Sequence, residues 1–405
     1  MLGMDIERHI RQCFLDASGQ FPVVLVTGAR QVGKTTLLKT LREPARRFVS
    51  LDDPDIRQLA REDAKLFFQS YPPPLIIDEI QYAPNLLTQI KIIVDDRRSE
   101  SGLFWLTGSQ PFRLMRGVVE SLAGRVVVFP LGGISQSEEL GGEASPFEVC
   151  RAVASTRRFG GVRDVYARIL RGSFPDLVSG RVRNRELYYR SYVQTYLERD
   201  IRDLTHVSDE SRFLDFLRVA AGRTGQLLNL SNMARDVGVS AVTAKSWLSL
   251  LETSGLVFLL HPHSRNATAR VVKTPKLYFL DTGLACHLSG WKDAEVLQNG
   301  AMAGAMLETF VVSEIVKRAW NCGEDPQLWF YRDNAGTEID VLYERNGVLH
   351  PIEVKKTASP TKADYRSFAR VAAKGVLLGC GAVACLAEEE RPLADAVVVL
   401  PIGSI

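Results

Sequence analysis

The chain has 405 residues, 46% of them hydrophobic and 24% charged, and its formal net charge is +3. This length exceeds what one hydrophobic core usually holds, so we expect two to four domains. The small net charge does not by itself indicate nucleic-acid binding, and no run of about 18 apolar residues predicts a membrane-spanning helix.

The six cysteines are scattered without a CxxC pair: Cys13, Cys150, Cys286, Cys322, Cys380 and Cys385. This spacing argues against a zinc site and predicts free thiols in a reducing compartment. The first residues lack the apolar stretch of a secretory signal, so we expect a cytoplasmic protein.

The first part of the chain alternates short apolar, β-rich runs with helix-length connections. The five runs cover residues 21–27, 48–51, 75–78, 103–107 and 126–131. Such alternation predicts an α/β domain with a parallel sheet covered by helices on both faces. We place this domain at residues 1–135.

A glycine-rich loop with the pattern GxxxxGK(S/T) follows the first predicted strand and opens a predicted helix. Its residues are Gly28, Ala29, Arg30, Gln31, Val32, Gly33, Lys34 and Thr35, and Thr36 comes next. In such a loop the backbone N–H groups point at phosphate oxygens, and the helix N-terminus adds positive potential. We therefore expect ATP with Mg²⁺ here, Lys34 contacting the β- and γ-phosphates and Thr35 holding the metal.

Polar residues at the ends of the next strands predict the catalytic groups. Asp78 ends the third run and is expected to complete the Mg²⁺ shell, while Glu79 is expected to activate the attacking water. Ser109, after the fourth run, is the candidate sensor of the γ-phosphate. Arg125, before the fifth run, is expected either to stabilise transition-state charge on a neighbouring subunit's nucleotide or to form a surface ion pair.

These motifs carry a family resemblance. The combination of GARQVGKT, LIIDEIQ, LTGSQ and SLAGR makes residues 20–135 resemble a AAA+ ATPase core, in the prokaryotic group with a C-terminal domain of unknown function. The resemblance covers nearly the whole chain and implies a homo-oligomer, often a hexameric ring. Arg199 and Arg202 are alternative sources of an arginine that acts between subunits.

Residues 136–208 are predicted to form a helical lid, and residues 209–290 resemble a winged helix. Ser231 is the predicted N-cap of a first helix, residues 238–240 form the turn, and Gly255 ends a second helix that contributes Val242 to the core. Lys245 is the only basic residue of that second helix. We therefore expect no sequence-specific reading of DNA; the wing holds a phosphate backbone, or the module serves packing or protein contacts.

The segment 337–355 predicts a β-hairpin with an Asn-Gly turn at residues 346–347. Counting outward places Asp340 opposite Glu353 and Glu338 opposite Lys355, all on one face. This arrangement resembles the PD-(D/E)XK nuclease fold, which we assign to residues 291–405 as a restriction-endonuclease-like α+β domain. The predicted Mg²⁺ site comprises Asp340, Glu353 and Lys355, with Glu308 added by the resemblance; the alternatives are a solvated hairpin or an inactive fold.

Together these parts predict a AAA+ ATPase that couples ATP hydrolysis to motor or helicase-like action on DNA, with branched DNA or repair and recombination intermediates as one candidate substrate class. One alternative is a nucleotide switch that remodels or signals to a protein partner. Another is an ATP-regulated, metal-dependent nuclease.

Overall fold

The computed structural model describes residues 6–109, 121–150, 160–197, 210–263 and 274–405. Elements are numbered over these residues. Within the same ranges no helix combines the length and apolar character needed to cross a membrane.

A five-stranded sheet, all parallel, with the strand order β2-β3-β4-β1-β5 forms the first part of the chain. Its strands are β1 Val23–Thr27, β2 Arg47–Ser50, β3 Leu75–Asp78, β4 Phe104–Gly108 and β5 Val126–Pro130. The surrounding helices are α1 Arg11–Ser18, α2 Lys34–Leu41, α3 Pro54–Glu62, α4 Ala64–Ser70 and α5 Leu86–Asp96. The predicted α/β class and parallel sheet are therefore confirmed.

The apolar runs form this sheet because both of its faces are buried. Along β1, Val24 packs into one hydrophobic cluster, while Val23 and Leu25 pack into another on the opposite face. Alternate residues of a strand point to opposite faces of the sheet. A strand whose side chains pack into a hydrophobic cluster on each face must therefore be apolar throughout.

The next segment is helical and leads out of the sheet. It contains α6 Gln136–Glu139, α7 Val162–Arg171, α8 Pro175–Val178 and α9 Arg185–Tyr192, followed by the π-helical turn Val193–Leu197. Arg199 and Arg202 lie outside the described residues.

Two helices and a turn lie where the helix-turn-helix was predicted. The elements are α10 Glu210–Ala221, β6 Gln226–Leu227, α11 Leu230–Val237, α12 Ala241–Thr253, β7 Val257–Pro262 and β8 Lys276–Phe279. Asn229, not Ser231, caps α11, because the helix begins two residues earlier than predicted and the Asn229 side chain accepts from Asn232 N–H. Val242 is 80% exposed and not in the core, because it lies on the solvent face of α12.

Strands β6, β7 and β8 join six later strands in one mixed sheet with the order β13-β14-β12-β11-β10-β9-β7-β8-β6. The helices and strands after β8 are α13 Thr282–Leu288, α14 Ala294–Asn299, α15 Ala303–Asn321, β9 Leu328–Arg332, β10 Glu338–Arg345, β11 Val348–Lys355, α16 Arg366–Ala372, β12 Gly381–Cys385, β13 Arg391–Ala394 and β14 Val397–Pro401. Because β7 pairs with β9, hydrogen bonding continues across residue 290, where we placed a domain boundary.

A disulfide joins Cys150 to Cys380, with a Cα–Cα distance of 6.3 Å. The prediction of six free thiols is therefore wrong for this pair. The two cysteines are separated by 230 residues, and only the folded chain brings the start of β12 beside residue 150. Sequence spacing alone could not reveal this contact.

Candidate functional site

The glycine-rich loop forms the turn between β1 and α2 that its sequence predicts. Gly28 and Gly33 have φ values of 139° and 96°, which favour glycine. A Cβ on Gly28 would also lie 2.2 Å from the carbonyl oxygen of Leu131, so no larger residue fits there. The Lys34 ammonium donates to the carbonyl oxygens of Gly28 and Ala29, at 3.0 and 2.8 Å, which holds the cation at the loop.

Asp78 lies beside this loop because β3 ends at the same sheet edge as β1. The Thr35 hydroxyl donates to Asp78 Oδ1 at 2.7 Å, and the Thr107 hydroxyl donates to the same oxygen at 2.7 Å. Ser50 contacts the other carboxylate oxygen at 3.4 Å. Hydroxyl and carboxylate oxygens are the ligands that Mg²⁺ prefers, so Thr35 and Asp78 fit the predicted role of holding the metal.

Glu79 adopts a left-handed backbone conformation, with φ 57° and ψ 48°. This conformation is uncommon for a residue with a side chain and is concentrated at functional sites. The Thr107 hydroxyl accepts from the Glu79 backbone N–H at 3.0 Å, and the Ser109 hydroxyl donates to Glu79 Oε2 at 3.0 Å. The predicted general base and the predicted sensor are therefore hydrogen-bonded to each other.

Gln81 is a neighbour of this pair that the sequence analysis missed. Its side-chain amide donates to Glu79 Oε2 and, at 3.0 Å, to Ser109 Oγ. Its Oε1 atom is buried without a hydrogen-bond partner among the described residues. The left-handed residue Glu79 starts a short 3-10 helix that returns Gln81 to the sheet edge, and no sequence motif signals this return.

Arg125 lies at the end of the sheet where β1 and β5 begin, opposite the end that carries the phosphate loop. It directly precedes β5, whose first residue is in register with Val23 at the start of β1. The phosphate loop begins at the far end of β1, roughly 13 Å away along the strand. Arg125 instead contacts Asp95 of α5 at 2.7 Å, with both side chains about 30% exposed. The surface ion pair is therefore formed, and the guanidinium is not at this chain's own loop.

A second polar cluster lies in the C-terminal sheet. The predicted hairpin register is confirmed, since Arg345 pairs with Val348 and Val341 with Ile352. Asp340, Glu353 and Lys355 line a cavity of about 690 Å³. The Lys355 ammonium lies 2.6 Å from Glu353 Oε2 and 3.3 Å from Asp340 Oδ2.

The ladder pairs of this hairpin end at Val341 and Ile352, before Glu338 and Lys355, and these two side chains have different ion-pair partners. Glu338 lies 2.7 Å from the ammonium of Lys276 and 3.3 Å from the guanidinium of Arg332. The register between β9 and β10 shifts after residue 339, which places Glu338 opposite Arg332. The added cation, Lys276, comes from β8, a strand that hairpin arithmetic does not include.

The charges in this cavity shift one another's pKa values. Burial, together with nearby Asp340, raises the pKa of Glu353 to about 8 and that of Glu308 to about 7. Burial alone would raise the pKa of Asp340 as well, but the ammonium groups of Lys355 and Lys276 outweigh it and the pKa is lowered. Asp340 therefore loses its proton more readily than Glu353 or Glu308.

The predicted metal ligands all have side-chain partners in this structure. Within the described ranges, no group of three or more His, Cys, Asp or Glu residues is placed to hold one metal ion. Glu308 accepts from Tyr278 at 2.5 Å and from Lys276 at 3.0 Å, and Lys355 contacts the other two acids. Two lysines thus lie among the predicted ligands, Lys276 beside Glu308 and Lys355 beside Asp340 and Glu353.

Arg8 also contacts the phosphate loop, and the sequence analysis missed it. Its guanidinium donates to the carbonyl oxygens of Val32 at 2.9 Å and Gly132 at 3.0 Å, and lies 3.0 Å from Glu138 Oε1. The Arg8 and Glu138 side chains are 9% and 0% exposed. The sequence signal that could have indicated the pair is the capping box formed by Ser135 and Glu138, which predicts that the Glu138 carboxylate accepts hydrogen bonds at a helix N-terminus.

The parallel sheet, the loop and the adjacent Asp78–Glu79 pair define a P-loop ATPase of the AAA class, which binds nucleotide. A family model described as an AAA domain matches residues 20–140, and two described as domains of unknown function, DUF8612 and DUF4143, match residues 162–295 and 303–405. The chain is 30% identical over 392 residues to the uncharacterized proteins Rv2008c of Mycobacterium tuberculosis and Mb2031c of Mycobacterium bovis, covering 95% of this chain and 81% of each relative. The chain belongs to the family of these two mycobacterial proteins.

Among solved structures, the chain is similar to the Walker-type ATPase paby2304 of Pyrococcus abyssi. The two are 15% identical, with a TM-score of 0.43, over 69% of this chain and 94% of the other.

Proposed function

We propose that this protein hydrolyses ATP, with Glu79 orienting and activating the attacking water. The observation that carries the proposal is the hydrogen-bonded series from Thr35 through Asp78 and Thr107 to the backbone of Glu79. Bound Mg²⁺ would supply charge neutralisation of the phosphates. Thr35 and Asp78 would hold it, and Lys34 would bind the β- and γ-phosphates. Ser109 keeps the Glu79 carboxylate in one orientation.

The test is Glu79→Gln, which removes the base and preserves the side-chain shape. We expect ATP affinity within about twofold of wild type and turnover reduced by about 10²–10⁴. Lys34→Ala is the matched control, because it should lose tight nucleotide binding itself. Normal turnover by the glutamine variant would remove Glu79 from its role.

We propose further that the protein acts as a homo-oligomer, a hexameric ring, in which Arg125 serves the nucleotide of the next subunit. Support comes from the position of Arg125 at the start of β5, the end of the sheet opposite the phosphate loop. From there Arg125 does not reach a nucleotide bound to the same subunit. Arg125→Ala is expected to reduce turnover at constant ATP affinity, whereas Asp95→Asn, which frees the guanidinium, should retain activity. Native mass measured with and without nucleotide gives the subunit number; a monomer in both states contradicts this part.

DNA is the proposed substrate of the ATP-driven motion. The winged-helix interpretation of residues 209–290 supports it, as do two exposed arginines, Arg366 and Arg370, on the cavity rim. Residues four apart lie on one face of a helix, so both guanidinium groups can follow a phosphate backbone without reading bases.

The assay compares ATP turnover with no DNA and with single-stranded, duplex and branched DNA over a range of salt. We expect stimulation that falls steeply with salt and is lost in the double variant Arg366→Ala, Arg370→Ala. Arg97→Ala, an exposed arginine of the ATPase domain, should behave like wild type. A rate that no DNA changes would favour the alternative, a nucleotide switch acting on a protein partner.

A metal-dependent nuclease is the second candidate, resting on the nuclease-like interpretation of residues 291–405. The observation that favours it is the placement of Asp340, Glu353 and Lys355 on one cavity wall. Incubation of labelled DNA with Mg²⁺ or Mn²⁺ tests it, with cleavage expected to vanish in Asp340→Asn and to persist in Glu338→Gln. Absence of cleavage in wild type with either metal would leave a nuclease-like fold without the activity.

A further inference from the structure

Two glycines end the two helices of the predicted helix-turn-helix in the same way. Gly238 follows α11 with φ 73°, and Gly255 follows α12 with φ 67°. After each glycine, the next backbone N–H reaches back five residues: Val239 N–H donates to Ala234, and Leu256 N–H to Leu251, at 2.9 and 3.0 Å. This is the bonding pattern of a Schellman cap, so the two turns are locally equivalent.

Only one of these turns lies against the phosphate loop. A Cβ built on Gly255 would lie 3.4 Å from the backbone nitrogen of Ala29 and 3.7 Å from Cα of Gly28. A Cβ on Gly238 would meet nothing within 4 Å. The contact joins two distant parts of the sequence at the segment that binds phosphates.

The packing around the contact is continuous. Ala29 of the loop is 7% exposed, and Leu251 and Leu256, which flank the turn, are 1% and 6% exposed. All three belong to one hydrophobic cluster. Close-packed interiors transmit small displacements, so the backbone at Ala29 cannot shift toward the turn without displacing it.

We propose that the turn formed by Ser254, Gly255 and Leu256 is a wall of the nucleotide site, through which the helix-turn-helix responds to the presence of nucleotide. Gly255 acts as a positioning residue: it lets α12 end directly against the loop. Because coupling between two sites is reciprocal, whatever binds the helix-turn-helix also changes nucleotide affinity. The inference rests on the proposed nucleotide binding at the phosphate loop.

The test uses Gly255→Asn with Gly238→Asn as its matched control. Asparagine tolerates the left-handed conformation, so both variants keep their caps at similar cost. At position 255 the side chain projects onto Gly28 and Ala29, whereas at position 238 it enters open space. We expect the Kd of a fluorescent ATP analogue to rise at least tenfold for the position-255 variant and to change less than twofold for the control. Equal Kd values for the two variants would overturn the proposal.

A second measurement on the wild-type chain does not depend on how a variant folds. Hydrogen exchange at the amides of Gly255 and Leu256 should slow at least fivefold when Mg²⁺ and a non-hydrolysable ATP analogue are added, while exchange at Gly238 and Val239 stays unchanged. Unchanged exchange at both turns, in a sample shown by titration to bind the analogue, refutes the coupling alone. A wild-type chain that does not bind the analogue refutes the proposed function as well.

Discussion

Replacing Arg8 with methionine would remove the cation of a buried ion pair beside the phosphate loop. Glu138 would remain enclosed, with 0% side-chain exposure, and would keep only its hydrogen bonds from Ser135 and the backbone N–H of His9. Removing one partner of a buried ion pair typically costs about 3–5 kcal/mol, because an uncompensated charge is left behind. We expect the free energy required to open the five-stranded sheet to fall by this amount.

The double variant Arg8→Met, Glu138→Gln should recover about 2 kcal/mol or more, because the amide oxygen still accepts the backbone N–H groups and carries no charge. Native-state hydrogen exchange of the β1 amides measures the loss without requiring the whole chain to unfold at once. Arg181→Met is the matched control, since Arg181 is 69% exposed in its pair with Asp176 and should cost only about 0–1 kcal/mol. An Arg8→Met loss no larger than that of the control would refute the reasoning.

The same pair has a pH signature. Burial would raise the pKa of Glu138, but the Arg8 guanidinium and the backbone N–H groups of Ser135 and His9 outweigh it, and the pKa is lowered. The stability that Glu138 contributes is therefore complete above its unfolded pKa, near 4.5, and is lost as pH falls through the lower folded pKa. In the Arg8→Met variant burial is no longer opposed by the cation, so the sheet should instead become more stable as pH falls toward 4.5. The same pH dependence in wild type and variant would show that the two side chains do not interact.

Two further changes test other contacts. Gln81→Leu removes a donor to both Glu79 and Ser109, so turnover should fall at least tenfold at unchanged ATP affinity; an unchanged rate would place Gln81 outside the reaction. Cys380→Ser removes the cross-link to Cys150. Relative to wild type, the variant should lose about 2–4 kcal/mol of stability in oxidising buffer and nothing in reducing buffer, as followed by thermal unfolding. A wild-type chain with the same unfolding temperature in both buffers would contradict a native disulfide.

The sequence was sufficient wherever the controlling interactions are local or periodic. The apolar runs give the parallel sheet because both its faces are buried, and the GxxxxGK(S/T) pattern gives the loop because Gly28 and Gly33 must adopt positive φ. The C-terminal hairpin follows from Asn346 and Gly347, whose φ values of 53° and 76° suit a two-residue turn. In each case a few adjacent residues determine the conformation.

The sequence was insufficient where a side chain finds its partner on a distant element. Hairpin register places Glu338 and Lys355 on the correct face, but it does not reveal that Lys276 of β8 reaches Glu338. The ion pair of Arg125 with Asp95 and the cross-link of Cys150 depend in the same way on the packing of separate elements. Ion pairing and metal binding use the same carboxylates, so residue type and spacing alone cannot distinguish the two.

The contacts around α6 show how the phosphate loop and the C-terminal sheet belong to one mechanical unit. Glu138 holds Arg8 under the loop, while two residues earlier the Gln136 backbone N–H donates to Glu314 of α15 at 2.7 Å. The Gln136 amide also donates to the carbonyl oxygen of Ile402, at 2.9 Å, near the end of the chain. This four-residue helix is bonded through Glu138 to Arg8, which contacts the loop, and through Gln136 to α15, so a rotation of the helix displaces both contacts. We therefore expect a shift of the loop on nucleotide binding to be transmitted toward the C-terminal sheet by two routes, α6 and the turn at Gly255.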